Sequence, residues 1–274
     1  MTLIQAIILG IIQGLTEFLP VSSSAHLVIT PYLLGWEFPA DAAFVFDVLV
    51  QLGTLVAVIA YFWQDLFEIV RDFLICLWQR KPFLLPKARL GWYLIIATLP
   101  AVVAGLLVKD QVEQAFDSPT ATAIFLLVTA FFLFIAERYG KRTKPLKTIV
   151  WLDSLVIGLF QVVSLFPGVS RSGSTITGGM LRSLDRPSAA RFSFLMSVPA
   201  MLGAGVIAVI DLFDIPNFST QVPSLVIGFL AAAVVGYLSI RWLLAYLAKR
   251  SLIVFAVYCV ILSAVVLLMA LIRG

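Results

Sequence analysis

Apolar residues fall along this chain in long blocks rather than on one face of a repeating pattern. Six blocks, Phe44–Trp63, Leu90–Val108, Pro119–Ala136, Phe192–Ile210, Ser224–Leu247 and Leu252–Ile272, reach the length a helix needs to cross a bilayer, roughly 20 residues for about 30 Å of hydrocarbon. None shows the two-residue alternation of a membrane β-barrel strand. The expected fold class is therefore an all-α polytopic membrane protein. Leu3–Leu34 and Ile149–Leu181 differ, because Pro, Ser and Gly interrupt each near its middle and leave pieces too short to span alone. Each is expected to be a re-entrant helical hairpin that enters the membrane and turns back. The segment DLFEIVRDFLICLW, with Asp65, Glu68, Arg71 and Asp72 on one face, is expected to be an interfacial amphipathic helix.

Composition agrees: 61% of the 274 residues are hydrophobic and 12% charged, with a mean hydropathy of +1.06, outside the range of soluble domains. Leu3–Ile12 has neither a basic region before it nor a small-residue cleavage site after it, so it is expected to stay in the mature fold. Cys76 and Cys259 lack disulfide or zinc spacing and are expected to be buried. The net charge of +4 is what basic cytoplasmic loops produce, and implies no nucleic-acid partner. A homodimer stays open.

The loop charges set a topology. Arg80, Lys81, Lys87 and Arg89, then Arg138, Lys141, Arg142, Lys144 and Lys147, then Arg182, Arg186 and Arg191, and finally Lys249 and Arg250 mark the cytoplasmic side. The connections between them carry Glu37 and Asp41, then Asp110, Glu113 and Asp117 with one Lys109, then Asp211 and Asp214. These positions fit one arrangement only if both interrupted segments return to the side they came from. The first hairpin then opens outside and the second inside.

A shift of 148 residues lays GIIQGLTEFLPVSSSAHL, from Gly10, over GLFQVVSLFPGVSRSGST, from Gly158. It matches Gln13 with Gln161, Phe18 with Phe166, Val21 with Val169, Ser22 with Ser170 and Ser24 with Ser172. The chain is expected to be one membrane domain, 1–274, built as an inverted-topology repeat of about 1–140 and 148–274, each half one hairpin plus three transmembrane helices.

Non-helical backbone at membrane depth must be buried in protein or line a wet cavity, so each break implies a polar pocket. The first carries Glu17, Ser22, Ser23, Ser24 and His26; the second carries Ser170, Arg171, Ser172, Ser174 and Thr175. In PGVSRSGST, Gly168 and Gly173 permit exposed amides, the hydroxyls supply donors and Arg171 supplies a planar fork, which together describe an anion cradle suited to phosphate. A purely structural Glu17–Arg171 ion pair is the plainer alternative. In the first break a histidine suits a general base or nucleophile, a serine suits a nucleophile, and a carboxylate suits a divalent cation. Gln13 and Glu17, four apart on one helical face, are placed to share a cation or a water. Asp47 and Gln51 are expected to face the same cavity, and Asp153 to cap or anchor the second hairpin.

QGLTEFLPVSSSAH, PGVSRSGST, FDVLVQLGT from Phe46 and the hairpin start at Asp153 together resemble the bacterial undecaprenyl-diphosphate phosphatase family of the bacitracin-resistance type. The resemblance spans almost the whole chain and implies an enzyme that removes one phosphate from a polyprenyl diphosphate in the membrane lipid, recycling the carrier for cell-wall synthesis. It implies that Gln13 and Glu17 organise a divalent cation, Mg²⁺ or Ca²⁺, and that Ser23 and His26 form the nucleophile region. It further implies that Arg171 acts on the diphosphate with Ser170, Ser172 and Gly173; Ser22, Ser24 and Ser174 complete the expected substrate contacts. The first motif is written in that family with Glu or Gln at its start, and this chain has Gln13. Whether Ser23 attacks, His26 attacks or water is activated is left open by the sequence. So is a transporter or lipid flippase, the rival that broken helices in inverted repeats also suit. The resemblance implies a bacterial cytoplasmic-membrane location with the site opening to the periplasm.

Overall fold

A computed structural model describes residues 1–116, 118–211 and 218–273; the acidic loop positions Asp117 and Asp214 lie outside the described residues. These residues form α1 (Leu3–Thr16), α2 (Ser23–Leu34), α3 (Ala40–Tyr61), α4 (Trp63–Trp78), α5 (Pro86–Leu107), α6 (Lys109–Phe116), α7 (Pro119–Tyr139), α8 (Trp151–Val163), α9 (Arg171–Leu181), α10 (Arg186–Asp211), α11 (Phe218–Leu247) and α12 (Ile253–Arg273). No strand occurs among the described residues.

Among the described residues, five helical stretches are long and apolar enough to cross a membrane: Ala43–Tyr61, Pro86–Leu107, Pro119–Tyr139, Val222–Leu247 and Ile253–Arg273. They coincide with five of the six expected spans. The sixth falls on α10, a 26-residue helix that is buried continuously from Phe192 to Val198 and carries Ser193 and Ser197 fully inside the protein. A protein lining explains polar residues there that lipid would not accept.

Both interrupted segments are helical pairs. α1, α2, α8 and α9 have 14, 12, 13 and 11 residues, about 16–21 Å at 1.5 Å per residue and too short to span. α1 begins at residue 3 and α8 at 151, while α2 begins at 23 and α9 at 171, so both pairs of starts are offset by the same 148 residues as the motifs.

Small residues bring these short helices against the long ones. A Cβ on Gly10 would lie 2.5 Å from the Gly228 carbonyl oxygen of α11, and a Cβ on Gly158 would lie 2.5 Å from that of Ala97 on α5. α1 therefore lies against α11 as α8 lies against α5, with backbones in direct contact. α3 packs on α11 and α10 on α5, while α7 pairs with α12.

α4 turns Trp63, Phe67, Val70 and Leu74 outward and packs on α5, the form expected of an amphipathic surface helix. At the end of the molecule bearing the basic loops, Asp65 accepts from Lys87 and Arg191 at 2.8 and 2.7 Å. Glu137 takes Arg186 and the Leu252 amide, and Arg142 bonds its carbonyl. Asp153 fulfils the expected anchoring role: fully buried, it accepts from the Val150 amide that starts α8 and pairs with Lys144 and Arg182. Cys76 and Cys259 are free and buried.

Candidate active site

The two breaks are built alike. Ser22 caps α2 by accepting from the Ala25 amide at 3.3 Å, and Ser170 caps α9 by accepting from the Gly173 amide at 3.1 Å. In each, the capping hydroxyl also meets the serine two residues on at 3.1 Å, Ser22 with Ser24 and Ser170 with Ser172. The caps satisfy amides that would otherwise be orphaned at depth. The breaks diverge in backbone: Ser22 has a φ of 68°, unusual for a residue with a Cβ, whereas the second break places its positive φ of 99° on Gly168. A Cβ there would lie 2.2 Å from the Thr122 carbonyl oxygen, so only glycine fits.

α7 threads the second break. Thr129 donates to the Gly168 carbonyl and accepts from the Ser170 amide, both at 2.8 Å. Ser172 donates to the Leu19 carbonyl at 3.0 Å, which stitches the second break to the first.

At the junction lies Glu17, 7% exposed, just past the end of α1. Its Oε1 accepts from Arg171 Nη2 at 2.6 Å. Its Oε2 accepts from the Ser23 hydroxyl at 2.6 Å and from Gln13 Nε2 at 3.0 Å. One carboxylate is thus shared between the first residue of α2 and the first residue of α9. Both helices also direct their positive dipole ends at this point.

His26 lies apart from this carboxylate. Its Nδ1 meets the Ser22 carbonyl oxygen at 2.7 Å and its Nε2 meets the Tyr258 hydroxyl of α12 at 2.7 Å. A carbonyl can only accept, so Nδ1 carries a proton, and the neutral ring takes the Tyr258 proton on Nε2. With both nitrogens engaged, His26 holds the strained Ser22 peptide rather than the Ser23 hydroxyl.

A cavity of about 530 Å³ opens beside the Glu17 carboxylate. Of the expected site residues, Glu17, Ser22, Ser23, Ser24, Ser170 and Arg171 line it; Gln13, His26, Ser172, Gly173 and Ser174 are not in its wall. Ser172 joins the two breaks, Gly173 takes the Ser170 cap, and the fully buried Ser174 hydroxyl has no partner among the described residues. Gln51 reaches the cavity but Asp47, one turn earlier on α3, does not line it. Thr98 of α5 and Gln161 and Ser164 at the end of α8 line it without having been expected to. Gln161 was visible in the sequence only as the repeat partner of Gln13; Thr98 sits in an apolar span with no distinguishing neighbour. The remaining wall is apolar, including Val102, Leu106, Phe116, Leu165 and Val169.

A divalent cation needs oxygen ligands here. Gln13 Oε1 is buried with no hydrogen-bond partner among the described residues, while its Nε2 donates to the Glu17 carboxylate that also takes the Ser23 hydroxyl. These are hard donors of the kind Mg²⁺ and Ca²⁺ take. Among the described residues no group of three or more His, Cys, Asp or Glu is gathered as for a closed metal cage. Glu17 and Ser23 face the cavity, where phosphate oxygens and water would complete a cation's shell, whereas Gln13 lies outside the wall and turns its Nε2 rather than its Oε1 to Glu17.

The fold and cavity define a multi-pass α-helical membrane protein with a chamber, part polar and part apolar, at the meeting of two broken helices. The chain belongs to the family described as Bacitracin resistance protein BacA, which matches it over residues 6–265. It is 45% identical over 282 aligned positions to an undecaprenyl-diphosphatase of Chlorobium phaeovibrioides, covering 100% of this chain and 99% of that one. Proteins of the same name from Thermomicrobium roseum and Moorella thermoacetica are 44% and 42% identical, with 96% and 97% of both chains covered.

Proposed function

We propose that this protein hydrolyses undecaprenyl diphosphate to undecaprenyl phosphate and inorganic phosphate, recycling the lipid carrier of cell-wall synthesis and conferring bacitracin resistance. The observation that carries this reading is the Glu17 carboxylate shared between the Ser23 hydroxyl and Arg171, each at 2.6 Å. The names of the relatives support it.

Glu17 Oε2 accepts the Ser23 proton as Ser23 Oγ attacks the terminal phosphorus. The bond from that phosphorus to the bridging oxygen breaks, and the lipid monophosphate leaves with its electron pair. Water then attacks the phosphoserine phosphorus, the P–Oγ bond breaks, and a proton returns to Ser23. Arg171 neutralises the terminal phosphate, with the α2 and α9 amino ends and the hydroxyls of Ser22, Ser24 and Ser170 around it. His26 acts through Ser22, and Ser172, Gly173 and Ser174 act through the shape of the second break. Gln13 and Glu17 would hold Mg²⁺ or Ca²⁺, which when bound offsets the charge of the diphosphate.

The two halves form an inverted repeat, a reading supported by the common 148-residue offset of the helix starts and the reciprocal packing of α1 on α11 and α8 on α5. The loop charges then orient the cavity to the periplasm. Cysteines introduced in the Glu113 loop are expected to label from outside intact cells, and those in the Lys144 loop to stay protected. The same repeat symmetry favours a second reading, a transporter or flippase for the lipid phosphate, alone or as an added activity.

Phosphate release from a polyprenyl diphosphate by the purified protein separates the two. Wild type should release phosphate with divalent cation present, and Arg171→Ala and Ser23→Ala should not. A silent wild type would leave the transporter.

A further inference from the structure

Resting on the reading just given, a lipid diphosphate brings two phosphorus centres to the cavity, and the Glu17–Ser23–Arg171 group accounts for one. We propose that Gln161 holds the other: its carboxamide binds the phosphate nearer the lipid chain, the one that departs as the product.

Gln161 is 4% exposed, lines the cavity, and has a side-chain oxygen with no hydrogen-bond partner among the described residues. Burying such a group unsatisfied costs free energy that a Leu of similar volume would avoid. A half-turn of the amide presents either its oxygen or its two N–H donors to the cavity. Thr98 and Ser164 on the same wall spend their hydroxyl protons on the Leu94 and Gln161 carbonyls, at 2.8 and 2.7 Å. The Gln161 side chain therefore carries the donors available there for a phosphate oxygen.

Its position suits the lipid-side phosphate. Leu165, four residues on in the turn that ends α8, belongs to the apolar wall with Gly105 and Leu106 of α5, so Gln161 stands where polar lining gives way to apolar lining. The repeat makes the contrast plain, because Gln13 is followed four residues later by Glu17 and Gln161 by Leu165. Gly158, one turn earlier, presses α8 onto Ala97 of α5 and holds the carboxamide at a fixed depth. A donor at this place would stabilise charge building on the bridging oxygen as the terminal phosphoryl transfers.

The test is ligand-induced thermal stabilisation of the purified protein by polyprenyl monophosphate and, separately, by inorganic phosphate with divalent cation present. Gln161→Leu should melt at or above wild type without ligand. It should need about tenfold more polyprenyl monophosphate for the same shift, with an unchanged response to inorganic phosphate. Arg171→Ala should lose the inorganic phosphate response. Gln161→Met supplies the same comparison should the Leu variant fold poorly. Equal responses of wild type and variant to the monophosphate, or a parallel loss of both responses, would overturn the assignment. Retention of the inorganic phosphate response by Arg171→Ala, with Gln161→Leu behaving as expected, would instead sink the catalytic reading and leave this subsite standing.

Discussion

Glu17 and Arg171 lie 154 residues apart in sequence and 2.6 Å apart in space. The contact closes the two breaks on each other and leaves the second carboxylate oxygen to Ser23. Removing one charge of a buried pair strands the other, at about 3–5 kcal/mol, whereas replacing both with apolar groups is often neutral. Glu17→Gln should therefore lower both melting temperature and phosphate release, the latter at least about 100-fold through loss of the proton acceptor. The double variant Glu17→Gln with Arg171→Met should regain stability in a thermal melt and remain inactive. Recovery of activity in that double variant would remove both residues from the chemistry.

His26 reaches Ser23 through the Ser22 peptide, so its loss should misplace the nucleophile without deleting it. His26→Ala is expected to lower kcat by about 10–100-fold, the scale of a slight misalignment. Tyr258→Phe, which removes only the bond to Nε2, should cost less than about tenfold. Turnover measured at saturating substrate checks the order of the two. An inert His26→Ala beside a healthy melting curve would make His26 the attacking group or its base.

Chelation should abolish phosphate release, and Mg²⁺ or Ca²⁺ should restore it. Gln13→Glu adds a second carboxylate beside Glu17 and is expected to lower the cation concentration giving half-maximal activity by roughly tenfold. A titration of activity against free cation reads this directly; an unchanged midpoint would place the cation away from Gln13.

Gly10 and Gly158 each leave no room for a Cβ, with a carbonyl oxygen at 2.5 Å in both cases. Gly158→Ala and Gly10→Ala should destabilise the protein by about 1–3 kcal/mol each, as overpacking does. Gly203, whose added Cβ would meet nothing within 4 Å, serves as the tolerant control in the same melting series.

The breaks were legible because Pro20 and the Pro167–Gly168 pair interrupt apolar runs that are too short to span in pieces, and because serines recur at Ser22 and Ser170. The pairing of Glu17 with Arg171, the plainer alternative in the sequence, was legible because charge inside a bilayer demands a partner. What the sequence withheld is rotation of each helix about its axis. Asp47 and Gln51 are one turn apart, yet Gln51 alone lines the cavity, because the contact of α3 with α11 at Gly53 sets which face turns inward. His26 likewise meets Tyr258, 232 residues on, a pairing that depends on where α12 packs. The α10 block reads as an ordinary span until Ser193 is found bonded to Thr175 at 2.6 Å, inside the protein rather than against lipid.

The apolar wall of the cavity ends at Leu106, which is 81% exposed on the outer surface of α5. An enzyme entered from that side meets its substrate as a solute of the bilayer. Its rate should follow the number of substrate molecules per lipid rather than per litre, so that adding inert lipid or detergent at constant total substrate slows turnover by surface dilution alone.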